Sequence, residues 1–399
     1  MDKVYCNMSR LLYLLIATAC FSAPLHAQYV GFNQKEIKEL QRLVREGHRD
    51  SMAGVRKGRV DKGGMRDMQG DSAATEVAKA YESIKETATL ALAEEPNPID
   101  TIRTEGLLAG NPKKTATQLA LRDMNKLYAL ALVYRVSGDK RYLEHATEFL
   151  LAWARINHGR GDPIDDTNLD RAIEAYDMLK EQLPKASSDT IKDWLRETAR
   201  AELGGRYYHP DRPSFYNNWH SHRLKIVGEI AYAIGDTALQ GYTIRELKTQ
   251  LEKNLNPDGS GIDFVSRDAL HYHVYDLEPL LKLAIVLSRA TGVDFYNYSS
   301  PTGSSIKRSV DWLLPYVNGQ KTHAEFVNST VDFDRKRAQN NESAYKAGTL
   351  FEPKNGIATL VLAMYFDKGS IRQVRELMIE TQTTQAQAWQ TATVALMRP

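Results

Sequence analysis

Residues 119–156 read LALRDMNKLYALALVYRVSGDKRYLEHATEFLLAWARI. Apolar side chains recur at helical spacing over 119–136, Ser137-Gly138-Asp139 interrupts them, and a second apolar-periodic run follows over 142–156. That pattern predicts two helices folded back on one another around a tight turn. The same punctuation returns at Gly235-Asp236, between helices expected over 223–234 and 239–255. Such pairs bury their apolar faces by stacking side by side, as an open solenoid or as a closed ring of hairpins.

Helical signals dominate on both sides of these hairpins. Ile37, Leu40, Leu43 and Val44 share one helix face, as do Val77, Ala80, Tyr81, Ile84 and Ala88. Further helices are expected over 169–183, 190–203, 277–290, 306–317, 344–350 and 357–366, and a short extended segment over 262–265. Residues 54–70 and 157–166 read as loops. About a dozen helices with few or no long strands make an all-α chain. There is no fixed-period repeat of the tetratricopeptide kind, and no Pro/Ser-rich linker divides residues 28–399, which read as one helical domain.

Composition narrows the partners. With 42% hydrophobic and 26% charged residues, the chain has the makeup of an ordinary globular protein. A net charge of +2 and no basic–aromatic helix argue against nucleic acid, so an anionic ligand must be met by a local basic pocket. The first 27 residues read as an export signal: Lys3 and Arg10, an apolar core over 11–23, then Leu25-His26-Ala27. The core is too short to span a membrane. Ala17-Thr18-Ala19-Cys20 is a competing, poorer lipoprotein signal. Cys6 and Cys20 both fall in this leader, so the remaining chain has no thiol for disulfides, thiolate catalysis or metal binding. A periplasmic or secreted protein is expected.

Five of the ten histidines lie between His209 and His273, in two stretches. The first is Tyr216-Asn217-Asn218-Trp219-His220-Ser221-His222, ahead of a helix. The second is Arg267-Asp268-Ala269-Leu270-His271-Tyr272-His273-Val274-Tyr275. Asn217 and Asn218 suit helix caps, while Trp219 offers a flat face to a sugar and the imidazoles can exchange protons. In the second stretch His271 and Tyr275 share a face on a helix, whereas His271, His273 and Tyr275 share one on a strand. Arg267 can grip a carboxylate with two hydrogen bonds. The bland alternative is that these rings plug a helix interface.

The two His-x-His pairs also invite a zinc reading, but no HExxH motif and no carboxylate at ligand spacing accompany them. No G-x-S-x-G elbow supports a serine hydrolase. Paired carboxylates drawn from Asp258, Asp263 and Asp268 would suit a glycoside hydrolase.

The two stretches resemble the alginate-lyase superfamily of polysaccharide lyases. Its alginate-degrading members carry an Asn-Asn-His-Ser-Tyr-Trp motif ahead of a helix ending in Gly-Asp, and later Arg-Ala-Leu-x-Tyr-His-Asn-Tyr-Ala-Leu. The counterparts here are Asn217 to His222 with Gly235-Asp236, and Arg267 to Leu277. Weaker likeness covers 128–153 and Glu174-Ala175-Tyr176-Asp177, so the resemblance spans roughly residues 115–340. It implies an α/α barrel and β-elimination on a uronate polymer, with Tyr275 moving the proton and Asn218, a histidine and Arg267 around the carboxylate. Aligned without a gap, the family's histidine falls on Trp219, with His220 and His222 just beyond it.

β-Elimination takes the C5 proton of a uronic acid and expels the 4-linked oxygen. Charge that grows on the carboxylate must be neutralised by donors fixed in advance, and Asn218, a histidine and Arg267 suit that task. Tyr275 would be base and acid if both protons lie on one face of the sugar; otherwise His220 or His222 is the base and Tyr275 the acid. The scheme requires no cofactor and no metal. Tyr216, Trp219, Arg206, Tyr207, His271, His273, His323, Arg335 and Arg337 are candidates for binding neighbouring uronates. The rival readings are a glycosidase using Asp258 or Asp263, and a non-catalytic, glycan-binding surface lipoprotein anchored at Cys20.

Overall fold

The computed structural model describes residues 27–56 and 73–398. The export-signal reading and most of the loop expected over 54–70 therefore lie outside the described residues. In chain order the α-helices are α1 Gln34–Arg56, α2 Ala73–Ala91, α3 Pro112–Ala120, α4 Arg122–Ser137, α5 Lys140–Ile156 and α6 Pro163–Asp166. They continue with α7 Asp170–Leu179, α8 Lys185–Gly204, α9 Asn218–Ile234, α10 Thr237–Asn254, α11 Ile262–Arg267 and α12 Leu270–Thr291. The last are α13 Ile306–Val317, α14 Asp332–Gln339, α15 Ile357–Ala363, α16 Ile371–Glu380 and α17 Gln385–Met397. Among the described residues the extended pairing is limited to isolated bridges, Leu255 with Gly261 and Ala324 with Leu350.

Seven helices close a ring. α2 packs on α4, α4 on α7, α7 on α9, α9 on α12, α12 on α15, α15 on α17, and α17 returns to α2. Helices α1, α5, α10, α13 and α16 each pack on the ring helix that neighbours them in sequence, and α8 joins α5 and α9. The fold is an α/α toroid, and one contiguous apolar core runs through it from Val30 to Val394.

The Gly-Asp hairpins form as their chemistry dictates. Gly138 takes φ 75° and Gly235 φ 74°, the left-handed conformation that ends a helix. Asp139 then caps α5 by accepting from the Arg141 N–H, and Asp236 caps α10 from Ala238 and Leu239.

Four expectations need correcting. Residues 119–136 form two helices that meet at Leu121, and α1 continues through Gly54 to Arg56. Residues 262–265 belong to helix α11, not to an extended segment. Residues 344–350 hold only the end of a 3-10 turn, Ser343–Tyr345, because this segment is drawn across to Ala324 and Glu325.

The histidines of both stretches, from His220 to His273, lie inside α9 and α12, which start earlier than their apolar runs do. Asn217 caps α9 through Trp219 N–H at 3.0 Å. The start of α12 is capped from a distance: Glu325 accepts from Leu270 N–H at 2.7 Å and His271 N–H at 3.0 Å. Without those acceptors the first turn would leave its N–H groups unsatisfied.

Gly161 shapes the loop that leads into α6 and α7. Its φ is 69°, its N–H donates to Asp166 Oδ2 at 3.0 Å, and an added Cβ would sit 2.2 Å from the Ala201 carbonyl oxygen. Gly161→Ala is therefore expected to cost about 2 kcal/mol or more, from backbone strain and a main-chain clash. A thermal melt should show a midpoint lowered by about 3 °C.

Candidate active site at the N-terminal ends of three ring helices

The N-terminal ends of α7, α9 and α12 meet at one end of the ring. His222 on α9 packs its ring against that of Tyr275 on α12, with centroids 4.3 Å apart and the planes tilted by 42°. His222 Nδ1 is hydrogen-bonded to the Thr167 hydroxyl at 3.0 Å, in the 3-10 turn Thr167–Leu169 that enters α7. His222 Nε2 is buried and has no hydrogen-bond partner.

Asn218 stands four residues before His222, on the same face of α9. Its main-chain N–H and its Nδ2 donate to the two oxygens of Asp263, both at 2.6 Å. Asp263 is itself buried, so the amide is held rigidly. Arg267 donates to Asp334 Oδ1 at 2.6 Å, and its guanidinium carbon lies 3.7 Å from the Tyr272 ring centre. The Tyr272 hydroxyl accepts from Arg337 Nη1 at 2.7 Å, and Arg337 Nη2 lies 3.9 Å from Glu105. Arg337 Nε is buried without a partner. Two cations and an amide thus surround the tyrosines.

The electrostatics follow from burial. Desolvation, then the Lys225 ammonium, holds His222 well below the ordinary histidine range, so its ring is neutral. Burial pushes the Tyr275 phenol up, and the neighbouring Glu105 carboxylate adds to this. Tyr275 therefore keeps its proton at neutral pH. His271 is lowered by burial, then by Arg337 and Arg267. Asp263 is raised by burial, against the hydrogen bonds from Asn218. Three helix N-termini add positive potential.

The expected site residues divide into three groups. Asn218, His222, Arg267, Tyr275, His271 and Arg337 converge, with His271 edge-on to Tyr272 at 5.2 Å. A second group, Arg206, Tyr207 and Trp219, forms its own aromatic platform: the guanidinium lies 4.6 Å over Tyr207, which meets Trp219 edge-on at 5.6 Å. The third group points elsewhere. His220 is fully buried against Phe215 and Tyr216, with Glu246 at 3.5 Å, and burial takes its pKa down to about 4. His273 packs on Trp312 and contacts the Ser309 carbonyl oxygen at 3.2 Å. Tyr216 is buried beneath Lys253.

A helix rotates alternate residues away from each other, so the members of each His-x-His pair face different surroundings. Among the described residues no group of three or more His, Cys, Asp or Glu is placed to hold a metal ion. Asp258 spends its Oδ1 on the Ser260 N–H and hydroxyl, while Asp263 holds Asn218; Asp268, with φ 49°, accepts from Asn328. Each carboxylate of the glycosidase reading is thus committed to local structure. Thr167, Glu105, Asp334 and Tyr345 join the site without any signal in the sequence, since they come from other elements. No helix of the described residues is long and apolar enough to cross a membrane.

The chain matches the alginate lyase family model over residues 65–323. It is 24% identical over 234 residues to an exo-oligoalginate lyase of Saccharophagus degradans, covering 52% of this chain and 31% of that protein. An alginate lyase of Stenotrophomonas maltophilia is 22% identical over 202 residues, 42% of this chain and 25% of the relative. The chain thus spans about a third or less of the length of these curated relatives. The same fold is found in an alginate lyase from Bacteroides ovatus, at TM-score 0.60 and 18% identity, covering 81% of this chain and 97% of that one. Alginate lyase A1-III from Sphingomonas species A1 superposes with TM-score 0.51 at 19% identity, covering 75% and 80%.

Proposed function

The chain belongs to the alginate lyase family, and from that premise we propose that it is an exported polysaccharide lyase that cleaves a uronic-acid polymer by β-elimination. The observation that carries this reading is the His222–Tyr275 pair, its rings tilted against each other with centroids 4.3 Å apart and His222 Nε2 buried and unpartnered. A neutral imidazole can take the C5 proton, and a protonated phenol can give one to the departing O4. Burial favours these two protonation states, so His222 is assigned as base and Tyr275 as acid.

Substrate charge completes the arrangement. A uronate carboxylate set beside His222 would draw its depressed pKa back up and make it a better base. Asn218, Arg267 and Arg337 supply donors to that carboxylate while negative charge builds on it. The Arg206–Tyr207–Trp219 platform suits a neighbouring sugar ring. Alginate, polymannuronate or a related polyuronate such as glucuronan has the required chemistry.

The test is a product assay. Purified protein mixed with polymannuronate, polyguluronate and polyglucuronate should produce ultraviolet-absorbing unsaturated ends on at least one of them. Saturated reducing ends alone would identify a hydrolase instead.

Asn218 supplies a further check, because Asp263 fixes its amide through two 2.6 Å bonds. Asp263→Asn keeps the size but cannot accept both. We expect kcat/KM to drop by about 10–100-fold, the cost of a misplaced group at a reacting centre. Steady-state kinetics beside an unchanged circular dichroism spectrum would separate this from unfolding.

A further inference from the structure

A buried run of charged groups leads from His222 into the interior of the ring, away from the bond to be broken. Lys225, three residues beyond His222 on α9, is 4% exposed. Its ammonium donates to the Thr167 carbonyl oxygen at 3.1 Å and to Asp170 Oδ2 at 3.2 Å. The same carboxylate oxygen accepts from Lys282 of α12 at 2.6 Å. One aspartate at the start of α7 therefore ties α9 and α12 together directly behind the His222–Tyr275 pair. Thr167 is gripped twice, its carbonyl by Lys225 and its hydroxyl by His222 Nδ1.

We propose that Thr167 and Lys225 are positioning residues for His222: Thr167 fixes the orientation and tautomer of the ring, and Lys225 keeps it uncharged so that Nε2 stays a proton acceptor. The inference rests on the lyase reading, in which His222 is the base. With the Thr167 oxygen accepting the Nδ1 proton, the free lone pair lies on Nε2. An ammonium so close opposes a second proton on the imidazole.

The charged groups around His222 bear this out element by element. After burial itself, Lys225 weighs most against the charged ring; Lys282 acts in the same sense and Asp170 in the opposite one. Helix α12 also brings Tyr275 and Glu278, while on α7 Arg171 and Glu174 pair with each other at 2.9 Å. From α6, Asp165 and Asp166 turn to main-chain N–H groups at Thr104, Glu105, Arg160 and Gly161. Glu202 of α8 is engaged by Arg223, and Glu246 of α10 lies by His220 on the far face of α9. Glu229, further along α9, is pushed up to about 7 by burial and is largely uncharged below neutrality.

The test uses the full chain with 15N-labelled histidine, comparing wild type with Lys225→Met, Thr167→Val and Thr167→Ser. Lys225→Met should raise the His222 midpoint seen by NMR, and move the acid limb of kcat/KM to higher pH, by about one pH unit. Thr167→Val should lower kcat about 10–100-fold with KM little changed, and Thr167→Ser should restore it. A folded Lys225→Met protein whose His222 midpoint and acid limb stay in place overturns the proposal. So does a Thr167→Val protein with wild-type kcat, which decides the matter if Lys225→Met does not fold. Wild-type protein inert on every polyuronate would instead sink the lyase reading; the NMR titration reads the role of Lys225 without turnover.

Discussion

Tyr275→Phe is expected to lower turnover by about 10²–10⁴-fold, the usual worth of general acid–base assistance. The substitution removes one hydroxyl from a ring that packs tilted against His222 at 4.3 Å and meets Tyr272 edge-on at 6.4 Å. The phenylalanine ring preserves both contacts, so the melting temperature and KM should change little. What disappears is the proton. Burial holds the Tyr275 phenol in its protonated form, ready to donate at the leaving oxygen. A single-turnover measurement of unsaturated product, next to a binding titration with the same oligosaccharide, checks this. Full activity in the variant would remove Tyr275 from the mechanism.

Arg223→Met should have the largest effect on stability. Arg223 is 1% exposed; its Nε donates to the main chain and to the carboxylate of Glu202 at 3.0 and 3.1 Å, and Nη2 donates to the Tyr207 carbonyl oxygen at 3.2 Å. Glu202 is fully buried, with the Asp166 carboxyl hydrogen-bonded beside it. Taking the guanidinium away strands that carboxylate in the interior, at a cost of about 3–5 kcal/mol. The thermal midpoint is expected to fall by roughly 5 °C.

The pH dependence has a definite sign. Burial, then Asp166, holds Glu202 well above the ordinary carboxylate range in the folded protein, and losing Arg223 raises it further. A raised folded-state pKa costs stability as pH rises through it and costs nothing below the unfolded value. The deficit of Arg223→Met should therefore grow as pH rises through the raised range in which folded Glu202 titrates, and shrink below that range, where the carboxyl is protonated with or without Arg223. Melts at two pH values suffice to measure it. An equal deficit at both would show that packing on Phe215 and Tyr208, not charge, is what Arg223 contributes.

Much of the helical layout was legible because it is local. The periodicity of 142–156 and 306–317 gave α5 and α13 nearly to the residue, and Gly-Asp marked two hairpins, since left-handed glycine and an aspartate cap act over a few residues. Helix starts were harder where the cap is not local. α12 begins seven residues before its apolar run because Glu325, far along the chain, accepts its first N–H groups. Helices α14, α16 and α17 were not anticipated at all, although α17 closes the ring against α2.

The site divides along the same line. Residue chemistry in two stretches was enough to single out Asn218, Arg267, His222 and Tyr275 as candidates, because amide, guanidinium, imidazole and phenol can be recognised in one dimension. Which histidine meets Tyr275 was not, and neither was what holds the others in place. His220 and His222 are two residues apart, about 200° around a helix, so the helix that contains them sends one into the α10 interface and the other onto Tyr275. Asp263, Asp334, Thr167 and Lys225 set the orientation and charge of those groups from four different helices or turns. By itself, then, the sequence determined an all-α chain of hairpins carrying amide, imidazole, guanidinium and phenol groups in two short stretches, since spacing and side-chain chemistry are local properties. Only the tertiary structure decided that the hairpins close into a ring and that His222 is the histidine against Tyr275. Both depend on contacts between residues far apart in the chain, which no local pattern encodes.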